Sequence, residues 1–438
     1  MASTYLNRTS GTSTNAQKFT MSFWVKRSAL GAVNMLFYSG TGGTANGDID
    51  FAVDDKLSIY ERDVSSVSWQ LKTNRVFRDV GAWYHIVIEA DSTQATSSDR
   101  IKLYVNGVQE TSFDTATYPN QNISFEINKS SEVRNIGKYT TPAPYYFDGS
   151  FTHFHFIDGT AYDASTFGQT DATTGIWKPL TEPSVTYGTN GFFLKFENSG
   201  SMGTDSSGNA NNFTVNGSLT QTQDTPSNLF CTINAINVAS DGSGPSTLSN
   251  GNLTVSSTGT SQNVGTLAVD VNSNSKWYYE FKNISGVASN ISSSVGWSTD
   301  ISAFRSGSWA TYNSLFLYAA DGNIFGTSGW VGTGTAATYS NNDIISCTVD
   351  LQNNEIKWYK NNSLAYTISS ISWVGDVITP HSQWSETGAV GSYNFGNGYF
   401  GSTAIGSPNA DENGYGKFNY TPPSGFLSLC TKNINTNG

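Results

Sequence analysis

The chain has 438 residues, enough for two or three domains with full cores. Its 25 Phe, 22 Tyr and 11 Trp supply a burial term that separates it from a disordered Ser/Asn/Gly-rich polymer. A net charge of −11 without a Lys/Arg cluster excludes a nucleic-acid-binding face, and no apolar run is long enough to span a membrane as a helix.

Long helical patterns rich in Ala, Leu, Glu and Lys are missing and Gly is abundant, so the composition predicts an all-β chain of short strands and many turns. Phe19-Thr20-Met21-Ser22-Phe23-Trp24-Val25-Lys26 alternates, which puts Phe19, Met21, Phe23 and Val25 on one half-buried face. Strand patterns follow at Met35–Tyr38, Ile49–Val53, Leu57–Tyr60, Trp69–Leu71 and Trp83–Ile88. Ile101-Lys102-Leu103-Tyr104-Val105 then runs into Asn106-Gly107, a pair that tolerates the positive φ of a two-residue hairpin turn. Tyr146–Phe156 alternates strongly, with His153 and His155 on one face. Ala164–Gly168 reads as one helical turn, and Phe192–Phe196 as the last strong strand of this half.

Residues 198–228 are rich in Gly, Ser, Asn and Thr, as linkers are. Domains are expected at 1–220 and 229–438, joined by 221–228. The second half restarts with Asn252–Val255, Lys276–Phe281, Val295–Trp297 and Ser314–Tyr318. Ile344–Asp350 and Ile356-Lys357-Trp358-Tyr359-Lys360-Asn361-Asn362 repeat the earlier hairpin pattern, so one β-architecture is expected twice. Tyr420-Thr421-Pro422-Pro423 reads as an extended crossing rather than a ladder strand. Cys231, Cys347 and Cys430 are an odd set, which argues for buried free thiols, with a Cys231–Cys430 pair left open. The N-terminal residues have no apolar signal core, so assembly in a cytoplasm, or exit from it by a route other than a cleaved signal, is expected.

The Phe19–Lys26, Trp83–Ile88, Leu103–Gly107 and Phe147–Phe151 pieces resemble laminin G-like domains of the concanavalin A-like sandwich. Lys276–Glu280, Val295–Trp297, Asp343–Leu351 and Tyr393–Gly396 resemble a SPRY domain, which is also a concanavalin-like sandwich. The fold this implies is two antiparallel β-sandwich (jelly-roll) domains in tandem. Gly203–Thr214, Asp224–Asn228 and Tyr420–Thr431 are similar to virion proteins of tailed phages. That resemblance implies a capsid decoration, knob or fibre on the particle surface, present in multiple copies or as a homo-oligomer. Its partners would be other virion proteins of capsid or tail and a host-surface glycan.

Enzyme chemistry finds little support. The fold's usual glycosidase run, Glu-x-Asp-x-x-Glu, is missing; Asp48-Ile49-Asp50 puts two carboxylates on one strand face without a Glu. No Gly-x-Ser-x-Gly elbow accompanies the four histidines, and two histidines without a third ligand do not define a zinc site. No enzyme and no cofactor are expected, apart from a candidate calcium that laminin G-like domains often carry. Asp48, Asp50 and Asp205 are its candidate ligands, with Asp54-Asp55 as a further acidic loop. For a ligand-binding surface on the second domain the candidates are Arg305, Trp309, Trp330 and Trp384, aromatics and a cation set among Gly/Ser-rich stretches. The leading expectation is a non-enzymatic virion surface protein that adheres through loops at the sandwich ends. A bacterial surface lectin and a polysaccharide depolymerase are the alternatives.

Overall fold

The computed structural model describes residues 4–41, 45–64, 66–140, 145–240, 245–286, 293–299, 315–326, 329–332 and 334–438. The chain is almost wholly β, and it falls into two compact units, Met1–Gln221 and Thr222–Gly438. Each is a β-sandwich, so the fold is two antiparallel sandwich domains in tandem.

In the first unit an eight-stranded sheet runs in the order Phe113–Thr117, Val67–Val76, Lys56–Arg62, Asn46–Phe51, Asn34–Gly40, Val133–Ile136, Tyr5–Thr9, Thr214–Asn216. It faces a six-stranded sheet ordered Phe192–Leu194, Gly149–Asp158, Lys18–Arg27, Tyr84–Asp91, Ile101–Val105, Val108–Gln109. The period-2 alternation does what the pleat demands: Phe19, Met21, Phe23 and Val25 enter one core with Phe37, Ile49, Ile59 and Trp69 from the facing sheet. A second, smaller core of Val87, Ile157, Ala164 and Phe167 covers the outer face of the six-stranded sheet, helped by Trp177 from the short hairpin Gly168–Thr170/Trp177–Pro179. That cover leaves the outer face of the eight-stranded sheet as the broad polar face of this unit.

The boundary between the units, at Gln221/Thr222, falls where the first domain was expected to end. Within that domain the polar segment after Asn198 is structured: Phe213 joins the core and Thr214–Asn216 pairs antiparallel with Tyr5–Thr9. Gly, Ser and Asn serve there as tight-turn residues, a use that composition does not separate from a flexible tether. The Gly149–Asp158 strand shifts register between Thr152 and His155, and His153 takes a φ of 46°, so the two histidines do not simply alternate. Ala164–Thr166 is a single 3-10 turn, its first backbone groups capped by Asp163 Oδ1, which accepts from Ser165 N at 3.0 Å.

In the second unit, one sheet has the order Ile233–Ser240, Ser261–Gly265, Val377–Trp384, Ser293–Ser298, Leu315–Ala319, Ile324–Gly326, Gly329–Gly332. The other runs Thr247–Ser249, Thr254–Ser256, Val390–Asn394, Lys276–Ser285, Ile344–Asp350, Glu355–Lys360, Ser363–Ile368. Trp277, Tyr279 and Phe281 meet Val295, Trp297 and Phe316 in its core. Phe230 and Cys430 bridge backbone to backbone, so the two ends of this unit adjoin. The cysteines nevertheless form no disulfide with one another, and Cys231, Cys347 and Cys430 are all buried. Cys231 lies one residue past that bridge, and neighbouring strand positions point to opposite faces.

Candidate binding groove on the first unit

Strand Asn46–Phe51 buries Ile49 and Phe51 in the core, so Asp48 and Asp50 must point the other way, onto the outer face of the eight-stranded sheet. Register then assembles their neighbours. Asp48 stands opposite Tyr60 and Tyr38, and Asp50 opposite Ser58 and Met35. One strand further out, Gln70 lies beside Tyr60 and Lys72 beside Ser58. Tyr139 packs edge-on against Tyr38 at 5.2 Å, and Tyr145 packs on Tyr139 at 6.2 Å. Of these, Met35, Asp50, Ser58, Tyr60, Gln70, Lys72, Tyr139 and Tyr145 line an open cavity of about 490 Å³, and Asp48 and Tyr38 lie outside its lining. Its lining is polar at Asp50, Ser58, Gln70 and Lys72 and apolar at Val33, Met35 and Val67. Tyr60, Tyr139 and the 47% exposed Tyr145 supply aromatic surface.

The electrostatics follow from burial. Asp48 is fully buried; Asn46 Nδ2 donates to its Oδ2 at 2.7 Å, yet desolvation pushes its pKa up to about 6. Asp50 is pushed up to about 7, first by desolvation and then by the charge of Asp48. The Tyr60 phenol rises for the same two reasons. Lys72 Nζ is held by Asp54 at 2.8 Å, and Arg62 Nη2 donates to the Tyr60 hydroxyl at 3.2 Å. The cavity therefore offers acceptors, donors and flat aromatic faces at once, the combination with which proteins hold polyhydroxylated ligands.

The other acidic candidates are engaged elsewhere. Asp205 sits at the edge of the six-stranded sheet, bridged to Leu194, away from Asp48 and Asp50. Its Oδ1 accepts from Phe193 N at 2.9 Å and Ser207 N at 2.8 Å; its Oδ2 accepts from Ser207 Oγ and Asn211 N, both at 2.8 Å. Those donors make it a loop staple, set apart from the two acidic residues with which it was grouped as a candidate calcium ligand. Asp54 pairs with Lys72, and Asp55 pairs with Arg27 at 3.0 Å and Arg78 at 2.9 Å. Among the described residues no three His, Cys, Asp or Glu side chains converge as a metal site.

The second-domain candidates divide. Arg305 and Trp309 lie outside the described residues. Trp330 belongs to strand Gly329–Gly332, its backbone paired with Phe325. Trp384 is a correction: it stands on a strand, not in a loop, is wholly buried, and packs edge-on against Phe281 at 5.9 Å. Ser385 and Glu386 beside it lie past the strand's end and imitate a loop sequence, while Gln383 before it points to the opposite face.

One Ser–His contact was not foreseen. Ser22 Oγ lies 2.9 Å from His85 Nε2. Trp177 Nε1 donates to His85 Nδ1 at 2.9 Å, so in the neutral ring Nε2 carries the proton and cannot take one from Ser22. Burial also drives His85 down to about 3, and both residues are covered by the small second core. The contact is structural.

With this geometry in place, comparison with known proteins adds the following. A family model described as "Concanavalin A-like lectin/glucanases superfamily" matches residues 2–165. Among curated proteins, none matches the chain. Solved structures resembling it include the SPRY domain of human HERC1, at 17% identity over 37% of this chain and 96% of that one, with a TM-score of 0.30. A heptameric SAP-like pentraxin from Limulus polyphemus shares 14% identity over 50% of this chain and 90% of its own, with a TM-score of 0.30. At such identities the likeness concerns the fold alone.

Proposed function

We propose that the chain is a non-enzymatic adhesion protein that holds surface glycans in the groove of its first unit and is carried on the exterior of a tailed-phage particle. The observation that carries the adhesive part is the open cavity on the eight-stranded sheet, with tyrosines beside paired acceptors and donors. This moves the expected contact from the sandwich-end loops to a sheet face. The particle setting rests on the resemblance of Gly203–Thr214 and Tyr420–Thr431 to phage virion proteins. Many copies would turn weak single sites into firm attachment.

The test is binding of the purified full chain to an array of bacterial surface polysaccharides. At least one should bind, and Tyr60→Ala should weaken it without lowering the melting temperature by more than a few degrees. Absence of binding across the array would end the adhesive reading; absence of the chain from purified particles would end the virion one. A second reading, hydrolysis of the bound glycan, has in its favour two carboxylates of raised pKa on one strand. Steady release of new reducing ends from a bound polysaccharide would establish it and overturn the non-enzymatic proposal.

A further inference from the structure

Two ionic groups in the groove make no ion-pair contact among the described residues, and they are of opposite kinds. Asp50 is only 6% exposed, and among the described residues no hydrogen bond or ion pair reaches its carboxylate. Arg62 has the converse arrangement. It donates only to the Tyr60 hydroxyl, its guanidinium lies over the Tyr60 ring at 5.2 Å, and its Nε is buried with no partner. No carboxylate lies within ion-pair distance of Arg62 among the described residues. Lys72 differs from both, because Asp54 already neutralises it.

The two groups form no ion pair with each other, although the charge of Arg62 is felt at Asp50. Asp50 stands across from Ser58, while Arg62 lies four positions beyond Ser58 on the neighbouring strand, so their backbone positions are roughly 13 Å apart at the usual strand rise. A guanidinium presents a rigid fork suited to a carboxylate, and a desolvated carboxylate requires hydroxyl or N–H donors. A neutral sugar would serve Asp50 and leave Arg62 unmatched. A cationic ligand would be repelled where Arg62 stands.

We infer that the groove selects an acidic saccharide, with a sugar carboxylate on Arg62 and sugar hydroxyls on Asp50. The separation suits two linked sugar residues, with Tyr60 lying between the two contacts. This rests on the glycan-binding reading above and narrows it to a chemical class.

The experiment compares uronic-acid-containing capsule oligosaccharides with the same oligosaccharides after their carboxylates are reduced to primary alcohols, using the full chain. Reduction should weaken binding about tenfold or more, as loss of a charge-assisted fork predicts. Arg62→Gln should lower affinity for the acidic form to that of the reduced form and leave the reduced form unchanged. Arg62→Lys, which keeps the charge and loses the fork, should lose most of the preference as well, and serves if the Gln variant does not fold. Asp50→Asn should weaken both forms. Equal affinity for the two forms, or a preference that survives Arg62→Gln, would overturn this inference while leaving glycan binding intact. Failure to bind any saccharide, neutral or acidic, would remove the glycan reading and this one with it.

Discussion

Asn106 and Asn361 take φ values of 49° and 46°, and each is followed by a second residue of positive φ, Gly107 at 81° and Asn362 at 68°. Each also reaches back with its side chain: Asn106 Oδ1 accepts from His85 N at 2.8 Å, and Asn361 Oδ1 from Ile344 N at 2.9 Å. The turn residue therefore satisfies a backbone donor at the start of the strand that pairs with the hairpin's first strand, as well as closing the hairpin. Replacing either with Ala should cost about 1–3 kcal/mol, from left-handed backbone strain plus an orphaned N–H. Urea unfolding measures it, and a loss below about 0.5 kcal/mol would show the turn to be tolerant. Gly107→Ala should be at least as harmful, because a Cβ there would sit 2.8 Å from the Trp177 ring. These turns were legible from Asn-Gly and Asn-Asn alone, and the shared face of Asp48 and Asp50 was legible from their spacing. Arg62 and Tyr60 could have been found by the same alternation, since Leu57 and Ile59 claim the core. Setting them beside Asp50 required the strand register, which is non-local, and Tyr139 arrives from a loop some eighty residues later in the chain.

Among the elements, the C-terminal crossing shows how one buried carboxylate can fasten a segment. Glu280 Oε1 accepts from Tyr420 N at 2.7 Å and its Oε2 accepts from Asn419 N at 2.8 Å, with Asn394 Nδ2 also donating to Oε2 at 3.1 Å. The prolines at 422 and 423 mark this stretch as extended, but nothing local names its anchor. Glu280→Ala should free the Asn419 and Tyr420 amides and destabilise the unit by about 2–4 kcal/mol, since buried donors lose a charged acceptor. Hydrogen exchange at those two amides reads the effect, and unchanged protection would refute the anchoring role. The Gly149–Asp158 strand was legible as a strand, whereas its bulge at Thr152–His155 was not. Nothing in an alternating run of Phe and His marks where the ladder slips.

For the whole molecule, two cores predict two folding units, so residues 1–221 expressed alone should unfold in a single cooperative transition. A gradual loss of signal would contradict this. The pH dependence follows from buried groups of opposite sign. Asp48, Asp50, Glu61 and Glu280 have pKa values raised to about 6, 7, 8 and 7, each chiefly by desolvation. Their stabilising contribution is complete below the unfolded carboxylate value and is lost as pH rises through these values. Burial lowers His85 and His381 to about 3 and His153 to about 4; His155 also falls. Their contribution is complete above the unfolded histidine value and is lost as pH falls. Between roughly pH 4.5 and 6.5 the two sets oppose each other, so stability should be nearly flat there. It should decline from about pH 7 to 8.5, where only the carboxylates still titrate, and fall steeply below about pH 4. Melting temperatures across that range decide it, and a maximum at pH 8 or above would contradict the burial-driven shifts.

Strand Tyr5–Thr9 lies hydrogen-bonded beside Thr214–Asn216, and Phe230 lies beside Cys430. Each sandwich thus enters and leaves at nearly one point. A module closed in this way can be spliced into a host loop without prising the host apart, or reopened at a distant hairpin with its old ends fused. The tandem is then a pair of separable cassettes, either of which can be exchanged while its neighbour keeps its own core intact.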